Sequence, residues 1–209
     1  EFAAIMGPSG CGKSTLLNLL AGGIKPLRGS LARAKNQRCS LLTQNPQALF
    51  VCDTLRADLL EVAQKGPNPE LRVAEQLQKF GLEKVAESHP YDLSGGEMQK
   101  AALAKVMLVE PDIILLDEPT KGLDVRAKQE CGELLLKLKE AGKTLVVVSH
   151  DLDFVAQYGD VCSLLFDGSI TATNTAHEFF LHNTFYTTNT YRTTRGLIEG
   201  CVTFDDFRT

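Results

Sequence analysis

One nonapeptide limits what this chain can fold into more than any other feature: Gly7-Pro8-Ser9-Gly10-Cys11-Gly12-Lys13-Ser14-Thr15. It fits the pattern G-x-x-x-x-G-K-S/T, follows the apolar run 2–6 and opens a helix-like stretch, 13–21, that stops at Gly22-Gly23. Strand, glycine-rich loop and helix is the context in which this pattern cradles phosphate. The glycines let consecutive backbone N–H groups turn inward around an anion, and the positive end of the helix dipole favours negative charge there. In such a loop Lys13 reaches the β- and γ-phosphates of a nucleotide and Ser14 ligates Mg²⁺.

Strand candidates at 2–6, 40–43, 112–117, 144–149 and 161–166 alternate with helical stretches, among them 124–141 behind an N-cap candidate at Asp124. That alternation predicts an α/β fold with a mostly parallel sheet flanked by helices. Ile113-Ile114-Leu115-Leu116-Asp117-Glu118 reads as a buried parallel strand ending in two carboxylates, at the sheet end where ligands of open α/β folds bind. Asp117 is placed to hold Mg²⁺ through water, and Glu118 to orient and polarise the water that attacks the γ-phosphate. Residues 53–110 lack the strand pattern and read as an inserted helical subdomain broken at Gly66-Pro67-Asn68-Pro69.

Inside that insertion, Leu93-Ser94-Gly95-Gly96-Glu97-Met98-Gln99 has the S-x-x-E spacing of a capping box, which by itself is a structural helix start. Two glycines in the first turn cost about 1 kcal/mol each relative to alanine. They make sense where backbone N–H groups approach an anion closely. One nucleotide has no use for two such termini from the same chain unless it is shared between chains.

The 209 residues carry 22 basic and 26 acidic side chains, a net charge of −4, with no Lys/Arg-rich block. Nucleic acid is therefore not expected as a partner. The 44% hydrophobic and 23% charged fractions exclude disorder, collagen and a coiled-coil rod. No apolar run approaches the ~20 residues of a membrane-spanning helix, and residues 1–6 lack the marks of a signal peptide. Six cysteines are scattered without a C-x-x-C pair, so neither a disulfide framework nor a zinc site is expected, and free thiols suit a reducing cytosol. Residues 171–194 hold nine threonines in 24 positions, mixed with Phe179, Phe180, Phe185, Tyr186 and Tyr191. Their composition favours strand or irregular structure and leaves the choice between them open.

Taken in order and spacing, the phosphate loop, Gln44, LSGGE, Asp117-Glu118, Gly122-Leu123-Asp124 and His150 resemble an ABC-type ATPase. The likeness runs from residue 1 to about residue 168. It implies a P-loop NTPase fold and a single ABC ATP-binding domain over 1–209. Within it, 1–52 and 111–170 would be a RecA-like core, 53–110 the helical subdomain and 171–209 a C-terminal extension. Gly7 to Thr15 look like the Walker A loop, and Gln44 resembles the Q-loop glutamine that ligates Mg²⁺ and senses a membrane partner. Ser94, Gly95 and Gly96 are similar to the signature that contacts a γ-phosphate held by the opposite subunit. Asp117 and Glu118 look like the Walker B aspartate and the catalytic glutamate, Asp124 like the D-loop aspartate acting in trans, and His150 like the switch histidine. The resemblance further implies ATP as substrate with Mg²⁺, and two partners: a second ABC ATPase domain and a transmembrane subunit. The chain would then lie on the cytoplasmic face of the membrane.

Gln44-Asn45-Pro46-Gln47-Ala48-Leu49-Phe50, Pro90-Tyr91-Asp92 before the signature and Asp117 to Asp124 look like the energy-coupling factor (ECF) branch of importers. That branch takes up vitamins or metal ions. The tail from Phe179 to Arg195 is similar to one half of tandem-fused ATPases of that branch. The chain departs from the family's pattern in two places. It starts too late to contain the strands before Walker A, with their adenine-stacking aromatic residue, so it reads as an amino-terminally truncated fragment with weakened nucleotide affinity. Only 31 positions separate Lys13 from Gln44, room for an abbreviated antiparallel hairpin. The rival reading is a soluble ABC ATPase of translation-factor type. The chromosome-organising type, with its long coiled coil, is excluded by the 50 positions between Gln44 and Ser94.

Overall fold

A computed structural model describes residues 1–208 apart from 33, 35, 184, 196 and 199, without the side chains of 207 and 208. Strands β1 (Phe2–Met6), β2 (Cys39–Leu42), β3 (Ile113–Asp117), β4 (Thr144–Val148), β5 (Val161–Phe166) and β6 (Ser169–Thr175) form one sheet in the order β2-β3-β4-β1-β5-β6. The first five are parallel, and β6 closes the far edge antiparallel to β5.

Side chains alternate across each strand, and both faces of the central strands are buried. Phe2, Ala4 and Met6 of β1 join Ile114, Leu116, Leu145 and Val147 in the larger core layer. Ile5, Leu115, Val148 and Leu165 face the other way, onto Leu17 of helix α1 (Lys13–Ala21). The larger layer is covered by α4 (Gly95–Met107), α5 (Val125–Glu140), α6 (Leu152–Tyr158) and α7 (Ala176–His182). Among the five parallel strands only β3 carries a charged residue, Asp117 at its carboxyl end, and Glu118 follows it directly, so both acids lie on the same rim of the sheet.

Helices α2 (Leu55–Ala63) and α3 (Pro69–Phe80) pack with α4 beside the sheet. They are separated at the expected Gly66–Pro69 break, where Asn68 adopts φ 48° and Pro69 opens α3. A buried charge ties this layer together. Asp58 of α2, fully buried, accepts from Val51 N and Cys52 N at 3.1 Å and from Lys105 Nζ of α4 at 2.7 Å. Lys105 also donates to Leu49 O at 2.5 Å, so the segment following Gln44 is pinned to both helices.

Two expectations need correction. The abbreviated hairpin between Lys13 and Gln44 is absent: among the described residues 22–38 there is no strand, and the chain returns as β2, parallel to β3. Pro26 and Gly29 interrupt any alternating pattern there, and Leu27 is 103% exposed, with no layer to bury against. The tail is neither all strand nor irregular. It continues from β6 into α7 and then α8 (Asn189–Thr194). Its threonines serve as caps: Thr175 Oγ1 accepts from Glu178 N at 3.3 Å and Thr188 Oγ1 from Tyr191 N at 3.1 Å. Phe179, Phe180 and Val202 enter the main core, so the tail is part of its packing.

Candidate active site

The phosphate loop is held by close packing beneath it. A Cβ on Gly7 would lie 2.3 Å from Leu165 O of β5, so no other residue fits where β1 turns into the loop. Gly12, at φ 101°, caps α1 in a left-handed conformation that side chains rarely adopt. Lys13 is only 7% exposed, and its Nζ donates to Gly7 O at 2.9 Å and Pro8 O at 2.8 Å. The ammonium thus lies across its own loop, while Ser14 and Thr15 are exposed at the start of α1.

Opposite the loop, Asp117 ends β3 and Glu118 adopts φ 53°, a left-handed conformation costly for a side-chain-bearing residue. The neighbours over-determine it. Glu118 N donates to Val148 O at 2.8 Å, and its carboxylate accepts from His150 N at 3.1 Å and lies 3.3 Å from His150 Nε2. A cavity of about 360 Å³ is lined by Ser9, Gly10, Gly12, Lys13, Ser14, Thr15, Gln44, Asp117, Glu118 and His150. Gly7, Pro8 and Cys11 shape the back of the loop and do not line it. The Asp117 carboxylate, 9% exposed, accepts no side-chain or backbone hydrogen bond from the described residues. An anionic oxygen left open beside the Ser14 hydroxyl and the Gln44 amide is a donor set that fits Mg²⁺.

The predicted in-trans residues stand elsewhere. Ser94, Gly95, Gly96 and Asp124 line a second cavity of about 270 Å³, which shares no residue with the first. Here two helix starts meet. Ser94 and Glu97 form a reciprocal capping box on α4, and Asp124 accepts from Ala127 N at 2.8 Å as the cap of α5. Hydrogen bonds from the Ser94 side chain and backbone hold the Glu97 carboxyl below its ordinary range. The hydrogen bond and charge of Lys100, 2.5 Å away, do the same for Glu130 on the cavity wall. Gly96 also has a packing role, since a Cβ there would lie 3.3 Å from Ala127 Cβ.

A third cavity, about 540 Å³, joins the other two along the turn 118–124. Sequence reasoning did not anticipate it. It shares Gln44, Glu118, Lys121 and His150 with the phosphate-loop cavity, and adds Lys128 and, from the tail, Thr187, Asn189 and Arg192. Asp167-Gly168, at φ 47° and 74°, could have placed the tail from sequence, because Asp-Gly is a strong hairpin signal between β5 and β6.

A glycine-rich loop between a central strand and a helix, facing acids at the end of another parallel strand, defines a P-loop nucleotide-hydrolase fold. Comparison with known proteins narrows this. The ABC transporter family model matches residues 1–121. An ABC transporter ATP-binding protein of Bacillus thuringiensis subsp. konkukian is 39% identical over 219 aligned positions, covering 99% of this chain and 40% of that protein. The energy-coupling factor transporter ATP-binding protein EcfA of Methanocaldococcus jannaschii is 32% identical, covering 86% of this chain and 71% of that relative. Among solved structures, CbiO1 of Clostridium perfringens, described as part of the ABC transporter complex CbiONQ, superposes with a TM-score of 0.78 at 28% identity. It covers 86% of this chain and 79% of that one. An ATP-binding cassette dimer in a post-hydrolysis state, bound to ADP and Pi, gives a TM-score of 0.72 at 31% identity, with 84% and 85% covered. The chain belongs to the ABC transporter family of ATP-binding proteins. It spans about two-fifths of the length of the first curated relatives it matches.

Proposed function

We propose that this chain binds and hydrolyses ATP as one of two facing domains, and that closure and reopening of the pair energise ECF-type import of a vitamin or metal ion. The observation that carries this reading is the separation of the two cavities. One is lined by a phosphate loop and paired acids, the other by a glycine-rich helix start, with no residue in common. Two copies placed head to tail would complete two sites, each with Gly7–Thr15, Gln44, Asp117, Glu118 and His150 from one domain and Ser94–Gly96 and Asp124 from the other. The dimeric cassette bound to ADP and Pi supports this pairing. EcfA and CbiO1 support the transport branch.

In this site Lys13 exchanges its two loop carbonyls for β- and γ-phosphate oxygens. Glu118, already fixed by the backbone N–H of His150, orients the attacking water and draws its proton. The His150 ring, free to leave Glu118, contacts the γ-phosphate. Ser14, Asp117 and Gln44 would hold Mg²⁺, which when bound neutralises charge on the phosphates. The γ-phosphate bridges the two domains, so its loss removes the differential binding that keeps them closed. In the importer reading, Gln44 and the 46–53 segment sit where a membrane subunit docks, and the pinning of Leu49–Cys52 to α2 and α4 carries motion from that segment to the signature.

The test is affinity purification of the full-length Glu118→Gln variant from gently solubilised membranes with ATP and Mg²⁺, followed by mass spectrometry. A co-purifying polytopic membrane protein is expected. Ribosomal proteins, or no membrane partner, would contradict the transport reading.

A further inference from the structure

Asn189, the first residue of α8, holds Asp153 of α6 at two points. Its backbone N–H donates to Oδ1 at 3.0 Å and its side-chain Nδ2 to Oδ2 at 2.6 Å. Asp153 lies in the first turn of α6, three residues past His150. Helix α5 holds the same turn through Lys128, whose Nζ is 2.5 Å from Asp151 Oδ2. Asp151 in turn accepts from Phe154 N at 3.2 Å and donates its own N–H to Ser149 Oγ at 3.0 Å. The loop bearing His150 is therefore gripped from two elements, and one of them is the tail.

The tail is a firm support because α8 is anchored from inside. Thr188 Oγ1 donates to Val202 O at 2.6 Å, and Asp206 Oδ2 accepts from Val202 N at 2.8 Å and Thr203 N at 2.6 Å. Thr188, Thr194 and Val202 are buried. Val202 packs in the main core, so the Thr188 bond ties the start of α8 to it. The His150 side chain, by contrast, is 50% exposed, so the backbone around it sets its position more than packing of the ring does.

We propose that Asn189 is a positioning residue for ATP hydrolysis: through Asp153 it fixes the start of α6, and with it the placement of His150 against Glu118. The inference rests on the hydrolytic reading above. A two-point hydrogen bond to a carboxylate is directional as well as strong, and small misplacements of reacting groups are expensive in rate.

Steady-state ATP hydrolysis by the full-length protein with Mg²⁺, with kcat and KM resolved and the thermal midpoint recorded, tests it on three variants. Asn189→Ala is expected to lower kcat roughly fivefold, well inside the hundredfold that a misplacement of about 1 Å can cause, with KM and the midpoint near wild type. Asn189→Asp sets a carboxylate against Asp153 and should lower kcat further. Combining it with Asp153→Asn exchanges donor and acceptor across the same contact and should restore most of the lost kcat. Unchanged kcat in Asn189→Ala would overturn the proposal. So would a loss that tracks a lowered midpoint and does not recover in the exchange. A wild-type protein that hydrolyses no ATP would instead sink the parent reading, and the inference with it.

Discussion

The two half-sites of this molecule are built in opposite ways. At the phosphate loop, the functional groups sit at a helix start and a facing strand end: Lys13 and Asp117 are nearly enclosed, and Glu118 is held in a strained backbone by Val148 and His150. At the signature, Ser94 and Gly95 are exposed, and the polar groups there satisfy one another through the capping box and the Asp124 cap. One half is pre-organised before any ligand arrives, as efficient charge stabilisation requires. The other is a surface whose polar groups are already satisfied; in the proposed pair it gains a role only when a second domain brings phosphate to it.

The sharpest way to break this contrast is at Glu118. Glu118→Gln keeps the hydrogen-bond acceptor for His150 N but cannot take a proton, so hydrolysis should fall about 10²–10⁴-fold while ATP still binds. Isothermal titration beside a turnover assay checks both halves of that outcome. Lys105→Met probes how the signature helix is mounted. It strands the buried Asp58 charge and should lower stability by about 3 kcal/mol, read by denaturant unfolding, without weakening nucleotide binding at the phosphate loop. Ser94→Ala removes one cap and should cost about 1 kcal/mol. In the paired protein it should reduce turnover while leaving ATP affinity of the isolated domain intact. The smallest effect is in pH. Glu97 titrates below its ordinary value of 4.5 because of Ser94, so its contribution is present above that value and lost as pH falls through the lower folded one. Acid unfolding curves of Ser94→Ala should therefore be shallower in that window than wild type.

Much of the contrast was legible in the sequence, for identifiable reasons. Buried parallel strands are mostly apolar runs, so 2–6 and 161–166 were bounded correctly and the other three parallel strands to within a residue, while the antiparallel edge strand β6 was not assigned. Ser94 and Glu97 announce the capping box by spacing alone. The φ of Glu118 was not readable, because it is set by Val148 and His150, some thirty positions away along the chain. Nor was the grip of Asn189 on Asp153, which joins two helices through a single residue and carries no motif. Threonine-rich composition misled in the tail, since a residue that favours strands also caps helices, and Thr175 and Thr188 do the latter.

The central claim is that each nucleotide is completed by a second domain, and sedimentation of the Glu118→Gln chain tests it most directly. With ATP and Mg²⁺ it should sediment as a pair, with ADP as a single chain, and adding Ser94→Arg should abolish pairing while ATP remains bound. A Glu118→Gln chain that binds ATP yet stays single, or one that pairs equally well with Ser94→Arg, would contradict the shared site.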